Sequence, residues 1–218
     1  MNSTKTFSFN SIKNFDKHIA QSIPNYDLLF DSIVSLAPYF LYPQSAIIDL
    51  GCSTGKLLET IPYEGRKIGY DISENLLPQS QGRTSYSLRD ITGITQFVDA
   101  TLILSIFTLQ FIDRSKRQEL LDKIYASLVD GGAFIWAEKV HADSAYWEQT
   151  LTSAHYDYKQ KSFTAQEILD KERDLRTMMR LQTSKENQDM AWKAGFRNSA
   201  LLWKFFNFEC YVYVKESI

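Results

Sequence analysis

Ala46-Ile47-Ile48-Asp49-Leu50-Gly51-Cys52-Ser53-Thr54-Gly55-Lys56 is the stretch on which the fold turns. Its apolar start does not alternate with polar residues, which marks a strand buried on both faces of a parallel sheet. The chain then enters a glycine-rich turn and continues at helical spacing from Lys56 to Ile61. A strand, a tight turn and a helix in that order bring backbone amides and the positive end of a helix to one point, where a ligand can lie close to the main chain.

The segments on either side repeat the theme. Upstream, 11–22 and 26–40 carry apolar residues at helical spacing and are separated by Pro24. Downstream come a strand Lys67–Asp71, a short helix Glu74–Leu77, and strands Thr84–Leu88 and Ala100–Ile106. Ser115-Lys116-Arg117-Gln118 reads as a capping box opening a helix Gln118–Leu128. Gly131-Gly132 marks its end, and Ala133–Ala137 is the fifth strand. The alternation predicts a doubly wound α/β sheet.

It breaks after strand five. Residues 143–181 read as helices alone, one opened by Thr164-x-x-Glu167, and a further helix runs from Thr183-x-x-Glu186 to Gly195. Leu201–Phe206 and Glu209–Val214, with Asn207-Phe208 between them, predict an antiparallel hairpin. The expectation is one domain over 1–218: a Rossmann-like, seven-stranded, mostly parallel sheet with an antiparallel C-terminal hairpin. Helices fill 1–42, and the insertion 143–181 lies over the carboxyl ends of the strands as a lid or a dimer arm.

Composition narrows the function classes. The chain has 218 residues, 44% hydrophobic and 23% charged, with a net charge of −2. That is an ordinary globular balance with no bulk attraction to nucleic acid or anionic lipid. Cys52 and Cys210 form no Cys-x-x-Cys pair, so neither a disulfide framework nor a metal site is expected, and a cytoplasmic setting fits. Met1–Gln21 carries no long apolar stretch, as a signal peptide would, and no segment reaches the roughly 18 apolar residues of a membrane helix.

Within the turn, Asp49 stands two residues before Gly51, and Gly55 comes one position early for a dinucleotide fingerprint. A carboxylate there suits a ligand with an amino group, such as the methionine end of S-adenosylmethionine (SAM). Asp71, about 20 residues after Gly51, ends strand two, where a carboxylate accepts ribose hydroxyls. Asp90 and Ile91 offer an adenine an acceptor and an apolar face. Gly51-Cys52-Ser53-Thr54-Gly55 also matches the G-x-S-x-G nucleophile elbow, with His18, His141 or His155 as the base. That elbow follows a later strand, and no backbone oxyanion motif precedes Ser53, so the hydrolase reading is set aside.

Several blocks carry a resemblance. They are Phe107-Thr108-Leu109-Gln110-Phe111, Arg117-Gln118-x-Leu120-Leu121-Asp122-Lys123-Ile124-Tyr125, Glu138-Lys139, Asp157-x-Lys159, Lys193-Ala194-Gly195-Phe196 and Phe206-Asn207-Phe208, together with the Pro24-Asn25-Tyr26 segment. From about Phe15 to Lys215 the chain resembles carboxy-S-adenosylmethionine synthases. The resemblance implies conversion of SAM and prephenate to carboxy-SAM and phenylpyruvate. A sulfonium ylide captures carbon dioxide, and the product serves wobble-uridine modification in tRNA. It implies a homodimer, with SAM or carboxy-SAM held by Tyr26, Gly51, Cys52, Ser53, Asp71, Ile72, Asp90 and Ile91. Asp49, Gly55 and Ser105 complete the candidate cofactor set.

Two positions depart from the family pattern. Ile106 stands where the family has Asn, with Ser105 beside it on the other side of a strand. The family's carboxylate-holding Arg of the insertion aligns with Glu172, and Arg173 follows it. Arg173 is the candidate catalytic cation if the helix slips by one residue, a rotation of roughly 100°. The runners-up are a methyltransferase that has lost the carboxylate grip and a non-catalytic SAM-binding partner.

Overall fold

The computed structural model describes residues 14–216. The elements are α1 (Phe15–Ser22), α2 (Tyr26–Leu36), β1 (Ala46–Leu50), α3 (Lys56–Thr60), β2 (Arg66–Asp71), β3 (Thr84–Leu88), β4 (Ala100–Ile106), α4 (Arg114–Ser127) and β5 (Leu128–Lys139). The insertion helices α5 (Ala145–Lys159) and α6 (Ala165–Met178) follow, then α7 (Ser184–Ala194), β6 (Asn198–Phe205) and β7 (Phe208–Val214). Residues 11–13 of the first expected helix lie outside the described range.

The strands form one sheet in the order β3-β2-β1-β4-β5-β7-β6. β3, β2, β1, β4 and β5 are parallel, while β7 runs antiparallel between β5 and the edge strand β6. The order reverses between β1 and β4, so a crevice opens at their carboxyl ends. Alternate side chains serve two cores. Ile48, Ile103 and Phe134 face Leu120, Leu121 and Ile124 of α4. Ile47, Leu102 and Ile135 face Leu29 and Ile33 of α2 and Leu58 of α3. This double burial is why β1 and β4 are mostly apolar and do not alternate with polar residues.

Local chemistry moves several expected boundaries. The helix expected over 26–40 stops at Leu36, and Ala37–Phe40 form a 3-10 turn; Pro38 has no N–H to continue the ladder. Glu74–Leu77 is a turn, not a helix, because Pro78 pushes Leu77 towards extended backbone. α4 opens at Arg114. The cap is Asp113, whose Oδ1 accepts from Ser115 N at 2.8 Å and Ser115 Oγ at 2.6 Å, and not the Ser115 box. Gly131-Gly132 does not end α4; both lie in β5, beside the register shift between Ala100 and Leu102. The capping boxes at Thr164–Glu167 and Thr183–Glu186 form as expected. No helix among the described residues is long and apolar enough to cross a membrane.

Candidate functional site

The crevice is a cavity of about 600 Å³. Its floor is made by the loops after β1, β2, β3 and β4, and its walls include α1, α2, α5 and α6.

The floor begins with backbone strain. Gly51 has φ +85°, and a Cβ there would collide with the Thr108 side chain; Gly55 has φ +72° beside the Tyr86 ring. Ser53, between them, is also left-handed at φ +49°. The loop is pinned from two directions. Asp71 Oδ2 accepts from Ser53 N at 2.8 Å, while its Oδ1 accepts from Ser73 N at 2.7 Å. Thr54 Oγ1 donates to Asp16 Oδ1 at 2.9 Å, which fastens α1 to the loop. Asp71 is therefore the knot joining the β1 and β2 turns.

Asp49 is nearly sealed, at 3% exposure. Burial, and then the Asp71 charge, push its carboxyl up to about 7. A ligand ammonium would relieve both penalties. Cys52 lines the cavity, and burial, with Asp49 and Asp71 adding to it, raises its thiol. Ser53 Oγ is buried with no hydrogen-bond partner among the described residues, so no histidine acts on it as a hydrolase base. Asp90 caps a 3-10 turn: its Oδ1 accepts from Thr92 N and Thr92 Oγ1, each at 2.8 Å, and these bonds hold its pKa down. Ile91 is buried below it, and Ile72 stands 73% exposed at the rim. Tyr26 lines the wall with its hydroxyl titration raised by burial, then by Asp49, Asp16 and Asp27.

Three expected contacts do not line the cavity, the first being Gly55, which turns the chain into α3 beside the Tyr86 ring. Ser105 points away from it, its hydroxyl fully buried and without a partner among the described residues, and Ile106 lines it instead; alternation along β4 decides this. Arg173 faces solvent with its side chain 74% exposed and pairs with Asp170 at 3.0 Å. Ile168, Lys171, Glu172 and Leu175 are spaced as one helix face, and that face turns inward and leaves Arg173 outside.

The upper chamber holds what sequence reasoning undervalued or missed: His18, Lys139, His155, Lys159, Lys171 and Glu172. Glu172 Oε1 lies 3.3 Å from Lys159 Nζ and Oε2 3.9 Å from Lys139 Nζ. Burial alone would raise the Glu172 carboxyl, but the two lysines outweigh it and hold the group ionised. His155 Nε2 lies 2.8 Å from the Ser22 carbonyl, which can only accept, so its proton is on Nε2. Burial lowers its pKa to about 4. Lys171 Nζ donates to His18 Nε2 at 2.5 Å; burial, then Lys159, lower the Lys171 pKa to about 8. The readable signal was the polar pair Lys171 and Glu172 inside the apolar stripe 168–175, with His155 and Lys159 four apart on α5.

The loop Phe107-Thr108-Leu109-Gln110-Phe111 joins floor and chamber. Phe107 takes φ 58°, and its ring lies 6.4 Å from Tyr26 and 5.9 Å from Phe208, centroid to centroid. Gln110 Oε1 accepts from Lys139 N at 2.9 Å and so fixes where that lysine leaves β5. Glu138 Oε1 accepts from Leu109 N and Trp136 Nε1, each at 2.9 Å. Arg117, 2% exposed, donates to the Ile112 and Arg180 carbonyls and to Gln182 Oε1, tying the loop to the return limb of the insertion.

A carboxy-S-adenosyl-L-methionine synthase from Campylobacter lari is 31% identical over 220 residues, covering 96% of this chain and 94% of that protein. The chain belongs to the carboxy-S-adenosyl-L-methionine synthase family. The synthase of a Nitratiruptor species is also 31% identical, over 93% of this chain and 89% of its own length. No family model matches the chain. Among solved structures, human N-acetylserotonin methyltransferase in complex with SAM aligns with a TM-score of 0.58 at 16% identity, over 88% of this chain and 53% of that one. A Haemonchus contortus phosphoethanolamine N-methyltransferase with SAM aligns with the same TM-score at 14% identity, over 86% of this chain and 52% of the other. These two likenesses bear on the fold, a Rossmann-like SAM methyltransferase fold.

Proposed function

We propose that the chain binds SAM on the floor of the crevice and converts it, with prephenate, to carboxy-SAM and phenylpyruvate. The observation that carries this reading is the division of the cavity. Carboxylates at successive strand ends suit a cationic amino acid, a ribose and an adenine, and a lysine-bearing chamber lies above them. The floor fits SAM on two counts: Asp49 is a buried carboxylate that an ammonium would relieve, and Ser53 Oγ is a buried hydroxyl without a partner among the described residues.

The residues divide the work. Asp49 accepts from the ammonium of the methionine part, Asp71 from the ribose hydroxyls through lone pairs not used by Ser53 and Ser73, and Asp90 from the adenine amine against Ile91. Gly51, Cys52 and Ser53 supply close main-chain contact, with Tyr26 and Ile72 at the sides, while Gly55 shapes the turn. When bound, SAM supplies the sulfonium methyl carbon that gains the carboxyl group. Lys139, Lys159 and Lys171 attract the dianionic prephenate and exclude bulk water together with Phe107 and Phe208. Loss of carbon dioxide and of the ring hydroxide from prephenate balances the reaction, the hydroxide taking up the methyl proton as water. A homodimer, a cytoplasmic setting and supply of the product for tRNA wobble-uridine modification complete this reading.

The experiment is incubation of purified protein with SAM and prephenate, followed by mass spectrometry. A SAM derivative heavier by one carboxyl group, with phenylpyruvate, is expected. Its absence, with SAM still bound, moves the chain to the second reading: a methyltransferase for another acceptor. Glu172 in the chamber is the observation favouring that alternative.

A further inference from the structure

Glu172 sits inside the pocket as a bound carboxylate would. Its oxygens are divided between two ammonium groups, Oε1 at 3.3 Å from Lys159 and Oε2 at 3.9 Å from Lys139. The lysines come from other elements: Lys139 ends β5 and Lys159 ends α5, while Glu172 projects from α6. Each lysine is placed independently of Glu172. Gln110 holds the Lys139 backbone, with the Phe208 ring 5.8 Å from the ammonium. Lys159 belongs to the inward face of α5 and is 2% exposed. An ammonium so deeply buried requires an anion, and here the chain supplies it. All three side chains line the same cavity as Ser53. A ligand bringing a carboxylate to this cradle must displace Glu172 or lie against it, and two ionised carboxylates at close range repel.

We propose that Glu172 is a specificity-determining residue: it fills the two-lysine cradle with the chain's own carboxylate, so that the pocket holds SAM in preference to carboxy-SAM. The inference deepens the synthase reading and rests on it. Product release then has a structural cause, because the carboxyl group just made competes with Glu172 for Lys159 and Lys139. Charge agrees with this. SAM carries a net positive charge towards Glu172, and the added carboxylate cancels that attraction.

The test is calorimetric titration of the whole chain with authentic SAM and authentic carboxy-SAM, for the wild type and for Glu172→Gln. In the wild type the Kd for carboxy-SAM is expected to be about ten-fold above that for SAM, a difference of about 1.4 kcal/mol. In Glu172→Gln the carboxy-SAM Kd falls about ten-fold and the SAM affinity does not gain. A wild type that binds carboxy-SAM as tightly as SAM overturns the proposal without any variant. So does a folded Glu172→Gln, or Glu172→Ala if the amide variant does not fold, that keeps the wild-type ratio. Both ligands are supplied ready-made, so the result is independent of turnover. Failure to make carboxy-SAM from prephenate sinks the synthase reading and still leaves the ratio to be read, whereas efficient synthesis with tightly retained product sinks this inference alone.

Discussion

The floor and the chamber of the crevice are built by opposite means. The floor consists of loops at the ends of strands, where main-chain amides and short carboxylates are fixed by the sheet register; Asp71 alone holds the Ser53 and Ser73 amides. The chamber consists of long side chains projecting from helices and from the end of β5, held by one another's charge; Glu172 links Lys159 and Lys139 through its two carboxylate oxygens. A floor of this kind tolerates no change at its few fixed points. A chamber of this kind can be retuned by one residue.

The largest effect that bears on this contrast is expected from Asp71→Ala. It removes two charge-assisted bonds, one to the glycine turn and one to the turn after β2, together with the proposed ribose contact, and each such bond contributes about 1.5–3 kcal/mol. SAM affinity should fall about 100-fold or more by calorimetry. A loss under ten-fold would mean that the turn keeps its shape without its knot, and the contrast between floor and chamber would collapse. Lys159→Met should act on the other half. Turnover with prephenate is expected to fall about 30-fold, or about 2 kcal/mol, with SAM affinity within about three-fold of wild type. The change also leaves Glu172 buried with one partner fewer, so the melting temperature should drop. Lys159→Met combined with Glu172→Leu should restore stability without restoring turnover. Equal recovery of both would show that the chamber is only a structural cluster.

The same contrast explains what could be read in the chain beforehand. The floor was legible because a strand end and its turn are adjacent in sequence, so Asp49, Gly51, Asp71 and Asp90 announce themselves by position. The chamber depends on helix rotation, where one residue of offset turns a side chain by roughly 100°. The inward stripe through Ile168, Lys171, Glu172 and Leu175 was present in the sequence, but polar residues within it read as noise beside a solvent face equally rich in charge. Ser105 failed for a related reason: in β4 a shift of one residue reverses the face. The helix expected at Glu74–Leu77 failed on Pro78, and the capping box at Ser115 on Asp113, which caps two residues earlier and takes the Ser115 amide and hydroxyl.

Asp49→Asn sharpens the comparison through pH. Its folded-state pKa of about 7 lies above the ordinary 3.8. A carboxyl raised on folding gives stability that is complete below the ordinary value and is lost as pH rises through the folded one. Ligand-free wild type should therefore lose stability from pH 4 to pH 8 relative to Asp49→Asn, by up to about 4 kcal/mol. Melting curves at both pH values check this, with the variant the more stable at pH 8 and level at pH 4. With saturating SAM the gap at pH 8 should narrow by about 1.4 kcal/mol, because the variant has lost the proposed ammonium partner and about ten-fold in affinity. A pH-independent gap would show that Asp49 ionises freely in the folded chain.

The smallest effect is expected at Arg173, one residue from Glu172. Its guanidinium is exposed and bonded to Asp170 three residues earlier on α6, an exposed pair of about 0.5 kcal/mol or less. Arg173→Ala should leave kcat/KM with prephenate within about two-fold of wild type and the melting temperature almost unchanged. Neighbouring residues on one helix would then differ by an order of magnitude in consequence, which is the signature of a chamber defined by which face α6 turns inward. A ten-fold loss of kcat/KM on Arg173→Ala would reverse that argument. The outward face of α6 would then have to reach the pocket of a second molecule, and specific activity would rise with protein concentration as the two chains complete each other's sites.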